Sequence, residues 1–406
     1  MNITLLKKNF VKSQYEFVER KGKGHPDTLS DNLAEYLSSK YCQYTKENFG
    51  AVLHHNFDKV GLLGGASKVS FGNGFLTKPI RVLLNGRAST KFGDRNIDLK
   101  TLLINWSKEF LAKELPLKNA DTELEFHYNL STQSSPGKSE NNKGDSARNH
   151  WFQPRSLDDI PELKRLFAND TSMGVGFAPN SPLEKLVILI DMALTGNEFV
   201  SQNPWIGSDI KIMGFRLGDA CQVTLCIPQI ADKVKTIEEY KQNLSVARKT
   251  IEDVFEKLEI STYEININTR DNYDTCELYL TAIGSSIESG DEGLVGRGNR
   301  VQGLIAPMRP MSMEGAAGKN PVYHIGKIYY VAAQKISESV YKKFGIENEV
   351  VLVSQSGRDL LDPWIIFVHI PEDFSELEDL NLLVQQEINN IPKFTEDLIN
   401  RHITVC

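Results

Sequence analysis

The sequence predicts an α+β protein built from three similar units, each a layer of helix on sheet. Similar groupings of strands with a helix recur in three places along the chain. A chain of 406 residues is also longer than one ordinary core serves. Finally, 40% hydrophobic and 24% charged residues match a globular interior and surface, far from the composition of disorder. Unit boundaries are expected at 1–150, 151–285 and 286–406.

The first unit opens with a strand at 15–20, followed by a helix over 26–44 with Pro26 in its first turn. Its apolar face is Leu29, Leu33, Leu37, Tyr41 and Tyr44. Further strands are expected at 51–57, 80–85 and 123–130. From 131 to 150 the composition turns to Ser, Gly, Asn and Lys with no apolar period. That stretch reads as a long loop, either a passive linker or a lid over a substrate.

The second unit contains the most plainly marked helix, over 182–195. Ser181 is its N-cap, Pro182 its first residue, Glu184 closes a capping box and Gly196 suits its end. An alternating strand at 221–227 precedes a helical stripe of Val234, Ile237, Tyr240, Leu244, Ile251, Val254, Phe255 and Leu258. A strand at 263–267 follows. The third unit reads as a helix near 325–344, strands at 350–355 and 364–370, and a helical tail over 376–400 that Pro392 interrupts.

A formal net charge of -7 argues against a sequence-independent grip on nucleic acid, so no nucleic-acid partner is expected. No apolar run is long enough to span a bilayer, and the start has no apolar stretch behind its lysines. The expectation is a cytoplasmic protein with no membrane partner. Five cysteines without a C-x-x-C pair suggest neither a disulfide framework nor structural zinc.

The densest chemical signal is the segment 284–327, GSSIESGDEGLVGRGNRVQGLIAPMRPMSMEGAAGKNPVYHIGK, where glycines alternate with Arg297, Arg300, Arg309, Lys319 and Lys327. Glycines let a backbone approach a ligand closely. Each charge-assisted hydrogen bond to a phosphate oxygen is worth about 1.5 to 3 kcal/mol. The pattern describes a polyphosphate cradle, against the alternative of an exposed loop with ordinary surface charges. Asp291 and Glu292 inside it would repel an anion unless a divalent cation intervened. Asp291 is therefore a candidate Mg²⁺ ligand, the alternatives being a turn cap or a partner of Arg297.

The second signal, Lys21-Gly22-Lys23-Gly24-His25-Pro26-Asp27, ends a strand and opens a helix, a place where free N–H groups and the helix dipole welcome an anion. His25 could donate to an oxygen that gains charge and Asp27 could hold a second metal, the alternative being a satisfied helix cap and a structural histidine. In Asp209-Ile210-Lys211-Ile212-Met213 the period of two puts Asp209 and Lys211 on one strand face. A surface ion pair is the default there. The segment 169–177, NDTSMGVGF, reads as a polar turn. P-loop, kinase, triad-hydrolase and zinc-protease motifs are missing.

GKGHPDTLSD, NDTSMGVGFAP, DIKIMG and the long 284–327 segment, in this order, resemble the signature set of the archaeal-type S-adenosylmethionine synthetases. The resemblance implies attack of the methionine sulfur on the ribose C5′ of ATP, with tripolyphosphate leaving and then hydrolysed to diphosphate and phosphate. It implies four catalytic groups: His25 near the departing oxygen, and Lys211, Arg297 and Lys319 on the phosphate chain, with Arg300 also among the phosphate contacts. Asp27 and Asp291 would serve Mg²⁺, Asp170 and Asp209 the methionine and adenosine, and Ser156 and Asp158 an ATP contact. It further implies three α/β-layered domains about a pseudo-threefold axis, K⁺ as a second cofactor, and a homodimer whose active sites lie between subunits. The rival readings are a Mg²⁺-dependent phosphohydrolase or phosphotransferase using the same cradle, and an inactive homologue that senses ATP or S-adenosylmethionine.

Overall fold

Three twisted sheets carry the chain, each with helices against one face and its own apolar cluster. The computed structural model describes residues 2–133 and 150–406. The predicted polar loop over 131–150 falls almost wholly outside the described residues, and with it the choice between linker and lid.

The first sheet orders its strands Leu124–Ser131, Ile80–Ala88, Gly61–Leu63 and Gly293–Leu294. Helices Pro26–Phe49 and Leu99–Glu114 bury Leu29, Leu33, Leu37, Leu103 and Leu111 in its core. In the second sheet the order is Tyr263–Ile267, Ala220–Cys226, Lys211–Leu217 and Tyr15–Lys21, covered by helices Pro182–Thr195 and Ile237–Lys257. The third runs Ile3–Lys7, Ile365–Ile370, Asn348–Val353 and Met173–Ala178 beneath the helix Ile325–Phe344.

The expected cuts at 150 and 285 therefore do not coincide with the sheets. Tyr15–Lys21 pairs antiparallel with Lys211–Leu217, and Ile3–Lys7 pairs parallel with Ile365–Ile370. Edge strands are borrowed across the sequence, a pairing that local periodicity does not encode.

The helix at Pro182–Thr195 has the Ser181 and Glu184 capping box that its sequence announces. Pro392 opens a second helix, Ile391–Ile399, after Leu377–Asn389. Three expectations need correction. The strand at 51–57 shrinks to His55–Asn56, because the preceding helix runs on to Phe49 and closes on Gly50 at φ 80. The second helix of the central unit starts at Ile237 rather than 234, where Thr236 caps the Glu239 amide. The supposed polar turn over 169–177 runs into the strand Met173–Ala178, which is buried from Gly174 onward. Its glycines are packing residues: a Cβ on Gly174 would lie 2.1 Å from the Tyr329 carbonyl carbon, and one on Gly176 2.4 Å from that of Ala333. The strand Ile3–Lys7, the helix Leu99–Glu114 and the hairpin of Ala66–Ser70 with Asn73–Lys78 have no counterpart in the sequence reading. Among the described residues no helix is long and apolar enough to cross a membrane.

Candidate active site

Two glycines decide where His25 stands. Gly22 N–H donates to the Ile210 carbonyl at 2.6 Å and Gly24 N–H to that of Ser208 at 2.9 Å. A Cβ on Gly24 would lie 2.6 Å from the Ser208 carbonyl carbon and 2.8 Å from the Asp209 nitrogen. Only a residue without a side chain lets the 22–24 turn close on 208–210, which sets His25 beside Asp209. His25 is also the helix N-cap, its Nδ1 accepting from the Asp27 amide at 3.2 Å. With Nδ1 occupied as an acceptor, the neutral ring carries its proton on Nε2. Burial lowers the His25 pKa below 6.5, opposed by the charges of Asp209 and Asp27.

Asp209 and Lys211 do not form the surface ion pair expected of them. Asp209 is buried just before the strand, and its Oδ2 accepts from Ser286 N at 2.8 Å and Ser286 Oγ at 2.6 Å. Burial raises its carboxyl above the ordinary range, with His25 and the Ser286 bonds pulling the other way. Lys211 stands 43% exposed, 3.6 Å from Glu19. Lys21, its cross-strand partner, donates to Asp27 Oδ2 at 2.9 Å and to the Arg297 carbonyl at 2.7 Å. Asn299 brackets the Lys21 backbone, accepting from its N–H at 3.0 Å and donating to its carbonyl at 2.8 Å.

The cationic loop thus lies across the helix N-terminus. A Cβ on Gly293 would lie 1.9 Å from the Pro26 carbonyl oxygen, so the loop rests directly on that first turn. Asp291 accepts from Ser286 Oγ at 3.1 Å and from the Glu292 amide at 2.9 Å, a turn-capping bond, and does not pair with Arg297. The Arg297 side chain is exposed and free of hydrogen bonds or ion pairs to the described residues. Arg300 instead turns inward, donating to the Gly296 carbonyl at 2.7 Å.

Lys319 forms a neighbouring cluster. Its buried ammonium donates to Glu314 Oε1 and to the Gly315 carbonyl, both at 2.6 Å, and Glu314 Oε2 accepts from Ser172 Oγ at 2.9 Å. Burial lowers the Lys319 pKa; the ammonium in turn holds Glu314 below its usual range against its own burial. The two clusters meet where Gly315 lies against Gly296, a Cβ on the former standing 2.5 Å from the latter's Cα. Asp170 is exposed and reaches this cluster through Ser354, whose Oγ donates to its carbonyl at 2.8 Å and whose N–H donates to Ser172 O at 2.9 Å. Ser156 and Asp158 are apart from both clusters. Ser156 caps the short turn Leu157–Asp159 and Asp158 points to Lys164 at 3.4 Å.

Sequence reasoning named His25, Asp27, Asp209, Lys211, Asp291 and Arg297, which the fold brings to one region. It passed over Glu19, Ser286, Asn299 and Glu314, polar residues whose importance lies in what they hold rather than in their type. Among the described residues no group of three His, Cys, Asp or Glu is spaced to hold a metal alone. Two carboxylates are nevertheless bridged by one hydroxyl, Asp209 and Asp291 through Ser286 Oγ. That donor set fits Mg²⁺, which takes one or two carboxylates and completes its shell with phosphate and water oxygens. Asp27 has both oxygens engaged, by Lys21 and by the Leu294 amide at 3.1 Å.

An α+β scaffold that gathers cations and paired carboxylates on glycine loops defines a protein suited to a multiply charged anion. The family model for S-adenosylmethionine synthetase (AdoMet synthetase) matches residues 2–402. The probable S-adenosylmethionine synthase of Aquifex aeolicus is 36% identical over 396 residues, covering 96% of this chain and 95% of the relative. The S-adenosylmethionine synthase of Methanocaldococcus jannaschii is 39% identical over 380 residues, covering 90% and 88%. Among solved structures, an unusual S-adenosylmethionine synthetase from Campylobacter jejuni shares the fold at a TM-score of 0.61 and 14% identity, over 93% of this chain and 88% of that one. The chain belongs to the S-adenosylmethionine synthetase family.

Proposed function

We propose that the chain makes S-adenosylmethionine from ATP and L-methionine. The observation that carries the reading is the closure of the 22–24 turn on 208–210, which gathers His25, Asp209 and Lys211 under the loop that bears Asp291 and Arg297. A thioether sulfur is neutral and needs no general base. The barrier therefore lies mainly in charge that builds on the departing tripolyphosphate, and preorganised donors and cations stabilise it. His25, capped at Nδ1, offers Nε2–H to the oxygen leaving C5′. Lys211, Arg297 and Lys319 hold the phosphate chain, with Arg300 fixing the loop beneath. Lys319 takes phosphate in exchange for Glu314.

Mg²⁺ fits Asp291 with Asp209 and, after release of Lys21, Asp27; when bound it neutralises phosphate charge. K⁺ is proposed as a further aid to activity. We also propose that the layers surround a pseudo-threefold axis and that two chains complete each site. That reading accounts for Ser156 and Asp158, the proposed ATP contacts, which a single chain leaves apart from both clusters, whereas Asp170, the proposed methionine contact, lies beside the Lys319 cluster. It also accounts for Tyr15, Phe17, Met213 and Leu217, between 41% and 58% exposed on the outer face of the second sheet.

Incubation with ATP, Mg²⁺, K⁺ and methionine, following S-adenosylmethionine, diphosphate and phosphate together, tests the reading. Methionine-dependent formation of all three in equal amounts is expected. Phosphate without the sulfonium product, or ATP binding without turnover, would reject it in favour of a phosphohydrolase or a sensor.

A further inference from the structure

The helix Pro26–Phe49 presents Asp27, Asp31 and Glu35 at intervals of four, hence on one face. All three are buried, at 7%, 2% and 5% exposure. Each grips backbone of a glycine-rich loop. Asp27 takes the Leu294 amide. Asp31 takes two amides, Gly296 N–H on Oδ1 at 2.7 Å and Gly298 N–H on Oδ2 at 3.1 Å, the residues on either side of Arg297. Glu35 Oε2 takes Gly318 N–H at 3.0 Å, next to Lys319, and the fully buried Lys327 ammonium at 2.6 Å.

We propose that Asp31 and Glu35 are positioning residues for the polyphosphate, acting through Arg297 and Lys319 by fixing the loops that carry them. The proposal rests on the synthetase reading and adds how its cations are held. Loops of glycine lose more conformational freedom than others when ordered, so a ligand that had to order them would bind weakly. Buried carboxylates that accept alternate loop amides, those of Leu294, Gly296 and Gly298, order them in advance. Gly298 is shaped for this contact, since a Cβ there would stand 2.3 Å from Asp31 Oδ2. The countercharges are local as well: Lys21 serves Asp27 and Lys327 serves Glu35, while Arg300, bonded to the Gly296 carbonyl, lies near enough to favour the Asp31 charge.

The test is a double-mutant cycle on the full chain with Mg²⁺ and inorganic tripolyphosphate as the probe, read by calorimetry. It is run near pH 8, above the value of about 7 to which burial lifts the Asp31 carboxyl. Asp31→Asn keeps the shape but turns an amide donor toward one of the two loop N–H groups. Tripolyphosphate affinity is expected to fall about ten- to hundred-fold, with methionine KM within about twofold of wild type. Combined with Arg297→Ala, it is expected to lose no more than Arg297→Ala alone, because the carboxylate acts through that arginine. Glu35→Gln paired with Lys319→Ala should behave likewise. Additive losses, unchanged tripolyphosphate affinity, or an equal loss for methionine would each overturn the proposal. If Asp31→Asn does not fold, Gly298→Ala crowds the same carboxylate from the loop side and enters the same cycle. A wild type that binds no tripolyphosphate, or an Arg297→Ala variant that binds it normally, removes the synthetase reading and this inference with it.

Discussion

Gly24→Ala adds one methyl group at the point where the histidine-bearing turn meets its neighbour. The Ser208 hydroxyl, 2.1 Å from the new Cβ, could rotate away, but the Ser208 carbonyl carbon at 2.6 Å and the Asp209 nitrogen at 2.8 Å are backbone. Ordinary contact begins near 3.4 Å, so 208–210 and 22–25 must part by about 3.4 − 2.6 = 0.8 Å. That separation breaks or stretches the Gly24 bond to Ser208 O and the Gly22 bond to Ile210 O. Overpacking of this kind costs about 1 to 3 kcal/mol of stability. Because His25 moves relative to Asp209 by a similar distance, kcat for S-adenosylmethionine formation should drop about 100-fold. Gly345→Ala is the control. Gly345 has φ 70 and nothing within 4 Å of its would-be Cβ, so it should lose about 1 kcal/mol through backbone strain alone and keep its kcat. Thermal melts and initial rates on both variants decide the matter. A Gly24→Ala protein with wild-type melting and wild-type kcat would refute the claim that this contact sets the site.

The remaining predictions concern charge. His25→Asn can still cap the helix, since Asn is among the best N-caps, but loses the Nε2 donor; kcat should fall about 100-fold or more with methionine KM nearly unchanged, and an effect confined to KM would contradict the role. Lys319→Ala should cut turnover by about 100-fold while far-ultraviolet dichroism stays native, and an unchanged rate would remove this lysine from the mechanism. His55 is buried, and desolvation lowers its pKa to about 3 from 6.5, so the folded state keeps it neutral while the unfolded chain takes up a proton below 6.5. Its contribution is therefore full above 6.5 and is lost as pH falls toward 3, at up to about 1.4 kcal/mol per pH unit; in urea melts across that window, His55→Gln should have the shallower acid slope, and parallel slopes would exclude this titration.

Helix ends and amphipathic stripes were the most legible part of the fold. Ser181, Pro182 and Glu184 mark a helix start through bonds that lie within four residues, and those bonds form. Strand membership was harder. Ile3–Lys7 joins Ile365–Ile370, and 169–177 reads as a turn because two glycines that seat a helix look like two glycines that bend a chain. The site follows the same division. His25, Asp209, Lys211 and Arg297 could be named from charge and glycine content, but not what each one touches. Alternation put Asp209 and Lys211 on one face of a strand. In the fold the strand begins only at Lys211, and Asp209 turns inward to Ser286, 77 residues away.

The acids at 27, 31 and 35 show why charge pattern alone misplaces function. Acidic residues four apart on a helix ordinarily form a solvated face, and the neighbouring stripe Leu29, Leu33 and Leu37 supplies an obvious buried one. In this helix both faces are inside. Over its middle turns only Asn32, Tyr36 and Lys40 escape burial, because sheet covers the leucines and the glycine loops cover the acids. The signal in the sequence is the company the acids keep: Thr28, Ser30, Ala34 and Ser38 are small, all are buried, and they leave room for backbone rather than side chains to lie across the helix. A glycine-rich cationic loop elsewhere in the chain needs such a surface. Without buried acceptors its amides would have to find water or phosphate, and a loop that depends on the ligand to order it cannot hold its cations in place beforehand.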